Sequence, residues 1–260
     1  MSKFKAVVFD WAGTMIDFGS FAPMGVFVKA FKQFGLDVTI AEARGPMGLP
    51  KWDHIRTMLN QPRIAAEWAR VHGAAPADGD VDAVYKVFVP MNEEAVADYA
   101  TLVPGALETV QALRARGLKI GSTTGYTRSI MERVLPLAAA QGYEPDCLVC
   151  ADDMRHGRPT PINMYQCFID LDVWPASAVI KVDDTEPGIA EGVAAGCLTV
   201  GVAMSGNAVG KTPEELAAMT AEEIAPLRAR ANAMLEDAGA HYVIDTVADF
   251  PRLLDRVEAG

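Results

Sequence analysis

Residues 5–14, Lys5-Ala6-Val7-Val8-Phe9-Asp10-Trp11-Ala12-Gly13-Thr14, open the chain with an apolar run that stops at an aspartate and breaks into a turn of small residues. A short apolar run bounded in this way is the pattern of a strand buried on both faces, as in a parallel sheet. Runs at 118–123 (LKIGST), 146–150 (DCLVC), 178–183 (AVIKVD) and 198–203 (LTVGVA) repeat it, and a weaker one lies at 241–244 (HYVI). Amphipathic stretches such as 105–116 and 187–195 separate them. Strands alternating with helices predict an α/β fold, a doubly wound, Rossmann-like parallel sheet with helices on both faces. From about residue 21 to 100 the rhythm fails, leaving only helical periodicity that carries Trp52, Trp68, Tyr85 and Tyr99, with breaks at 45–50 and 73–79. The pattern predicts an α-helical domain over 21–100, inserted into a core made of 1–20 and 101–260 and hinged near Gly19 and near Val103-Pro104-Gly105.

The chain has 260 residues, 34 acidic against 23 basic side chains, a net charge of −11 and 50% hydrophobic residues. Such a length supports one large domain with a smaller insertion, and the hydrophobic content excludes a disordered chain. With a pI near 4.8 and no Lys/Arg cluster, the composition argues against a nucleic-acid partner. No run of about 18 apolar residues is present for a membrane span, and the start enters a strand pattern without a signal peptide's cleavage region, so a cytoplasmic protein is expected. The four cysteines read as free thiols. Cys147 and Cys150 are three apart in a strand pattern, which sends their sulfurs to opposite faces and defeats chelation.

In open parallel sheets ligands sit beyond the carboxyl ends of the strands. Asp10 ends the first strand; alone it would read as a turn cap. Ser122-Thr123-Thr124-Gly125 end the second, Asp183-Asp184-Thr185 the fourth, and Arg158 lies in the Gly157-Arg158-Pro159 turn after the third. Gathered at one edge, they supply a carboxylate able to attack phosphorus, a hydroxyl and backbone amides at Thr124 and Gly125 to hold oxygens, and a guanidinium. Carboxylates so close repel one another, and Mg2+ held by Asp10 and Asp184 would relieve the repulsion. The set suits phosphoryl transfer through an aspartyl-phosphate on Asp10.

These motifs, FDWAGT, STTG, the basic turn at Arg158 and KVDDT, resemble in content and order the four motifs of the haloacid dehalogenase-like hydrolases, and the helical insertion after the first is similar to their cap domains. One position departs from the phosphatases of that superfamily, which carry a general-acid aspartate two residues after the nucleophile. Ala12 stands there. The loss admits either a silent, phosphate-binding relative or a reaction whose leaving group is not oxygen.

The insertion holds Arg44-Gly45-Pro46-Met47-Gly48-Leu49-Pro50-Lys51-Trp52-Asp53-His54. Lys51 and His54, three apart, share a helix face and could both look onto the core; read alone they could equally be a solvated lysine and a surface histidine. With WAGT after the nucleophile and the segment M-G-L-x-K-x-x-H, the chain resembles the phosphonoacetaldehyde hydrolase family over nearly its whole length. The resemblance implies hydrolysis of a small phosphonate's carbon–phosphorus bond in 2-aminoethylphosphonate degradation, through a Schiff base on Lys51. It also implies Mg2+ held by Asp10, Asp184 and the Ala12 carbonyl, His54 as a proton shuttle, Met47 beside the lysine, Tyr126 near substrate, and a homodimer. Tyr126 could equally be a half-buried aromatic starting a helix. A magnesium-dependent phosphomonoesterase is the second enzyme reading, and Ala12 with Lys51 argues against it. The fourth motif lacks the superfamily's later acid, since Gly188 stands there. Asp184 is then the expected ligand, with Asp183 or Glu186 behind it. Residues 205–212 (SGNAVGKT) resemble a nucleotide loop with the first glycine one place late, and read instead as a strand-to-helix loop bordering the site.

Overall fold

The computed structural model describes residues 2–259. A six-stranded sheet is built from β1 (Ala6–Phe9), β2 (Lys119–Thr123), β3 (Cys147–Val149), β4 (Val179–Asp183), β5 (Leu198–Val202) and β6 (Tyr242–Ile244), all parallel, in the order β3-β2-β1-β4-β5-β6. The apolar runs are therefore the strands, trimmed by a residue or two where the turns begin.

Alternation along β1 assigns the two faces. Val7 and Phe9 join the cluster covered by α6 (Ala106–Ala115), α7 (Arg128–Ala140) and α12 (Phe250–Ala259), whereas Ala6 and Val8 join the opposite one, covered by α8 (Ile162–Leu171) and α9 (Glu186–Ala195). The same rule separates Cys147 from Cys150, which fall in opposite clusters, and all four cysteines are free thiols. Beyond β5, α10 (Pro213–Ala218) and α11 (Ala221–Asp237) each start on a threonine capping box.

Between β1 and β2 come α1 (Ala22–Gln33), α2 (Ile40–Arg44), α3 (Lys51–Leu59), α4 (Pro62–His72) and α5 (Asp78–Ala95). Their buried faces make a hydrophobic cluster of their own, including Phe27, Phe31, Ile55, Leu59, Trp68 and Phe88. Asp17, before α1, accepts from the Phe21 and Ala22 amides at 2.9 Å each and so satisfies the first donors of that helix. Among the described residues no helix is long and apolar enough to cross a membrane.

Phe27 is the centre of the helical layer: its ring stacks on Phe88 at 4.2 Å and on His54 at 4.1 Å. Phe88 is fully buried, so Phe88→Ala should cost about 3–5 kcal/mol and lower the thermal midpoint by several degrees. Differential scanning calorimetry checks this; a midpoint within a degree of the parent would show that the layer does not depend on that stack.

Candidate active site

Strand order reverses between β1 and β4, which opens a crevice at their carboxyl ends. Asp10 follows β1, Asp183 ends β4 with Asp184 next, and Thr124 and Gly125 follow β2. All three aspartates are buried. Arg158 descends from the turn after β3, and its Nη2 lies 2.8 Å from Asp10 Oδ1 and 3.3 Å from Asp183 Oδ2. The same nitrogen donates to the Thr123 carbonyl at 2.8 Å and to Thr123 Oγ1 at 3.0 Å. Arg158 Nε is 3.2 Å from Glu191 Oε2 without hydrogen-bond alignment, so that contact is a charge pair only. A second buried cation, Lys181 of β4, approaches Asp183 at 3.0 Å and Glu191 at 3.4 Å and donates to Thr123 Oγ1 at 2.7 Å. Thr123 Oγ1 in turn donates to Glu191 Oε2 at 2.7 Å.

Two cations thus face four buried carboxylates, Asp10, Asp183, Asp184 and Glu191. The shortfall is two positive charges, and a buried excess of charge is costly. Its effect is uneven. Burial and then neighbouring Asp183 push the Asp10 carboxyl up to about 6, against the pull of Arg158 and Lys181. Burial, Asp10 and Asp183 raise Asp184 well above the carboxylate range. Asp183 is held below that range: burial opposes ionisation, but adjacent Arg158 and Lys181 outweigh it.

Oxygens of Asp10, Asp183 and Asp184 lie within 4.8 Å of one another. A hard divalent cation would take such oxygens and supply the missing charge, so the residues fit Mg2+. Asp183 has the least to spare, because its Oδ1 accepts from the Thr185 amide at 3.0 Å and hydroxyl at 2.7 Å. Asp184 accepts only one neutral donor on each oxygen, Thr14 Oγ1 at 3.2 Å and the Asn207 amide at 2.7 Å. A Cβ at Gly188 would stand 2.0 Å from Asp183 Cγ, so an acid in that place has no room. Glu186 lines a neighbouring cavity together with Arg44, Met47, Asn207 and Arg230.

The helical layer closes the crevice from above. The loop before α3 puts Gly48 against Thr185, where a Cβ would be 2.3 Å from Oγ1. Below it Asp10, Ala12, Ser20, Met47, Lys51, Thr124, Gly125, Tyr126 and Arg158 line one cavity of about 20 Å³, so in this position the helical layer leaves room for little more than a water between them. Lys51 is 3% exposed, yet no carboxylate pairs with its amine among the described residues. Nζ is 4.0 Å from Met47 Sδ, 5.2 Å from the Tyr126 ring centre and 5.9 Å from that of Phe27. Burial, the largest cause, and Arg158 lower its pKa to about 8, although Asp10 and Asp17 pull the other way. Lys51 also begins α3, where the positive end of the helix dipole disfavours further positive charge.

His54 does not join the cavity wall. Its ring is held in the Phe27 stack, with Nε2 2.8 Å from the Ala43 carbonyl. A carbonyl only accepts, so Nε2 carries the proton, and Nδ1 is left buried without a partner. Burial, with Lys51's charge, keeps this imidazole neutral. Tyr126 is buried rather than half-exposed, and its hydroxyl, like that of Ser20, has no partner among the described residues. Ser20, Lys181 and Glu191 are not among the residues the sequence singles out, and Asn207 enters there only as part of the 205–212 loop. Of these only Lys181, a charge inside the run AVIKVD, carries a local signal.

A parallel sheet with a carboxylate cluster at its switch point, an arginine on the first aspartate and a helical layer above defines a haloacid dehalogenase-like hydrolase, and residues 4–196 match the family of that description. Over 259 residues, covering 100% of this chain and 97% of the relative, it is 50% identical to the phosphonoacetaldehyde hydrolase of Paraburkholderia phytofirmans. It is 47% identical to that of Klebsiella pneumoniae, with the same coverage. A solved structure described as a phosphonoacetaldehyde hydrolase-like protein from Oleispira antarctica superposes with a TM-score of 0.97 at 44% identity, covering 99% of this chain and 94% of the other. The chain belongs to the phosphonoacetaldehyde hydrolase family.

Because the cluster lacks two positive charges, Mg2+ should raise the thermal midpoint. A hundredfold excess over Kd corresponds to about 2.7 kcal/mol, and Asp184→Asn should abolish most of the shift. A midpoint that ignores Mg2+ in the parent protein would rule out the cluster as a cation site.

Proposed function

We propose that the chain hydrolyses the carbon–phosphorus bond of phosphonoacetaldehyde to acetaldehyde and phosphate, with Lys51 as the imine-forming amine and Asp10 as the phosphoryl acceptor. The observation that carries this is the buried, anion-free Lys51 amine sharing one small cavity with Asp10 and Arg158. Full-length relatives at 45–50% identity bearing the phosphonoacetaldehyde hydrolase name support the activity.

The residues divide the chemistry. Arg158, with the Thr124 hydroxyl and Gly125 backbone, orients the phosphonate oxygens over Asp10, while the aldehyde carbon meets Lys51 Nζ. At a pKa of about 8 a large share of the amine is neutral near that pH, against roughly 1 in 300 for lysine at its ordinary value. Nζ adds to the carbonyl and water leaves, giving an iminium. Asp10 attacks phosphorus as the carbon–phosphorus electrons move into the new carbon–carbon double bond, so carbon departs as a neutral enamine rather than a carbanion. Protonation at carbon and hydrolysis release acetaldehyde and the free amine, and water then frees phosphate from Asp10. His54 Nδ1, neutral and unpartnered, is an uncharged proton acceptor on the same helix as the amine. Met47 and Phe27 exclude water from it, and the Tyr126 and Ser20 hydroxyls offer the substrate unclaimed hydrogen bonds. Asp10, Asp184 and the Ala12 carbonyl would hold Mg2+, which when bound neutralises charge on the phosphonate oxygens. No oxygen leaving group needs an acid, consistent with Ala12 in the cavity wall; a phosphomonoesterase would lack its acid there. Action in the cytoplasm and as a homodimer of 27.8 kDa chains belongs to the same reading.

Borohydride added during turnover should inactivate the enzyme and leave an ethyl or phosphonoethyl group on Lys51, located by peptide mass spectrometry. Lys51→Arg should lose activity by about 10⁴-fold or more, the scale seen when a covalent nucleophile is removed. Turnover that persists in borohydride with no adduct would exclude the imine.

A further inference from the structure

Loop 205–210, Ser205-Gly206-Asn207-Ala208-Val209-Gly210, has the composition of a phosphate loop, but its polar groups are engaged in two other directions. Toward the core, the Asn207 amide donates to Asp184 Oδ2 at 2.7 Å and Ser205 Oγ donates to the Gly13 carbonyl at 2.8 Å. Toward the cap, Arg44 Nη1 donates to Asn207 Oδ1 at 3.0 Å and to the Asn207 carbonyl at 3.3 Å, and Asn207 Nδ2 donates back to the Arg44 carbonyl at 3.2 Å. Arg44 Nη1 also reaches the carbonyl of Gly19 at 2.8 Å, in the segment leading into α1, and the Gly19 amide donates to Ser205 O at 2.7 Å. The two glycines mark the two contacts: a Cβ on Gly206 would lie 2.6 Å from Asp184 Cβ, and one on Gly210 would lie 2.6 Å from Arg44 Cζ. Asn207 therefore grips the cap with its side chain and Asp184 with its backbone.

We propose that Arg44 and Asn207 form a latch that couples seating of the cap to the placement of Asp184, so that Mg2+ binding in the core and closure of the cap favour each other. The inference rests on the carboxylate cluster being a magnesium site. Coupling of this kind is reciprocal: whatever weakens the seated cap must weaken Mg2+ by the same factor. Arg44 and Asn207 touch neither substrate nor metal and are positioning residues. Simple electrostatics predicts the opposite sign, because Arg44's charge is felt at Asp184 and its removal would favour a cation.

Titration calorimetry of MgCl2 into the full chain decides between them. Arg44→Met and Asn207→Ala should each weaken Mg2+ about 10-fold or more, as outer partners of metal ligands do, and the double variant should be no weaker than the worse single one. Limited trypsin digestion in Mg2+ should cut both variants faster in the cap. Asn207→Ala keeps the backbone donor to Asp184 and carries the test if circular dichroism shows Arg44→Met unfolded. Unchanged or tighter Mg2+ binding in the variants, or losses that simply add, would overturn the latch. A parent protein that binds no Mg2+ would instead overturn the magnesium reading on which it stands.

Discussion

The Arg158–Asp10 pair is the interaction on which the site depends. Both side chains are buried and 2.8 Å apart, where an unpaired charge on either would be strongly destabilising. Arg158 is itself fixed by Thr123, Asp183 and Glu191, so the position of Asp10 is set by a network reaching across β2, β4 and α9. With Arg158 taking the negative charge of Asp10, the cap lysine is not called on to serve as its counter-ion. One residue thereby lets a carboxylate and an amine, which would otherwise neutralise each other as a salt bridge, share a cavity without pairing.

The cap completes this separation by what surrounds the amine. Met47 sulfur and the Phe27 and Tyr126 rings are polarizable but carry no full charge, so Lys51 is desolvated without being paired. A carboxylate in their place would hold the lysine as an ammonium. Gly48 allows the loop to settle on Thr185, and Thr185 in turn caps α9 and bonds Asp183. Cap packing and core electrostatics therefore meet in the same few residues.

Much of this is legible in the sequence because parallel strands deliver their carboxyl ends to one edge. Asp10, Thr124, Arg158 and Asp184 could be placed together from strand order alone. The countercharges could not. Lys181 sits in a strand buried on both faces, and the carboxylate of Glu191 that it needs comes from the next helix, a packing fact rather than a pattern. His54 shows the limit of helical spacing: i and i+3 share a face, but the long Lys51 side chain reaches the cavity while the imidazole stops in the Phe27 stack. Asn207 and Arg44 are 163 residues apart, and only the folded chain brings them together.

The central claim, that pairing of Asp10 by Arg158 leaves a buried cap amine with a substantial neutral fraction, is tested most directly by titrating the enzyme with 13C at lysine Cε and following the resonance that disappears in Lys51→Arg. A midpoint at about 8 is predicted. A midpoint at the ordinary lysine value near 10.5 would contradict the account, since almost none of the amine would then be neutral near neutral pH.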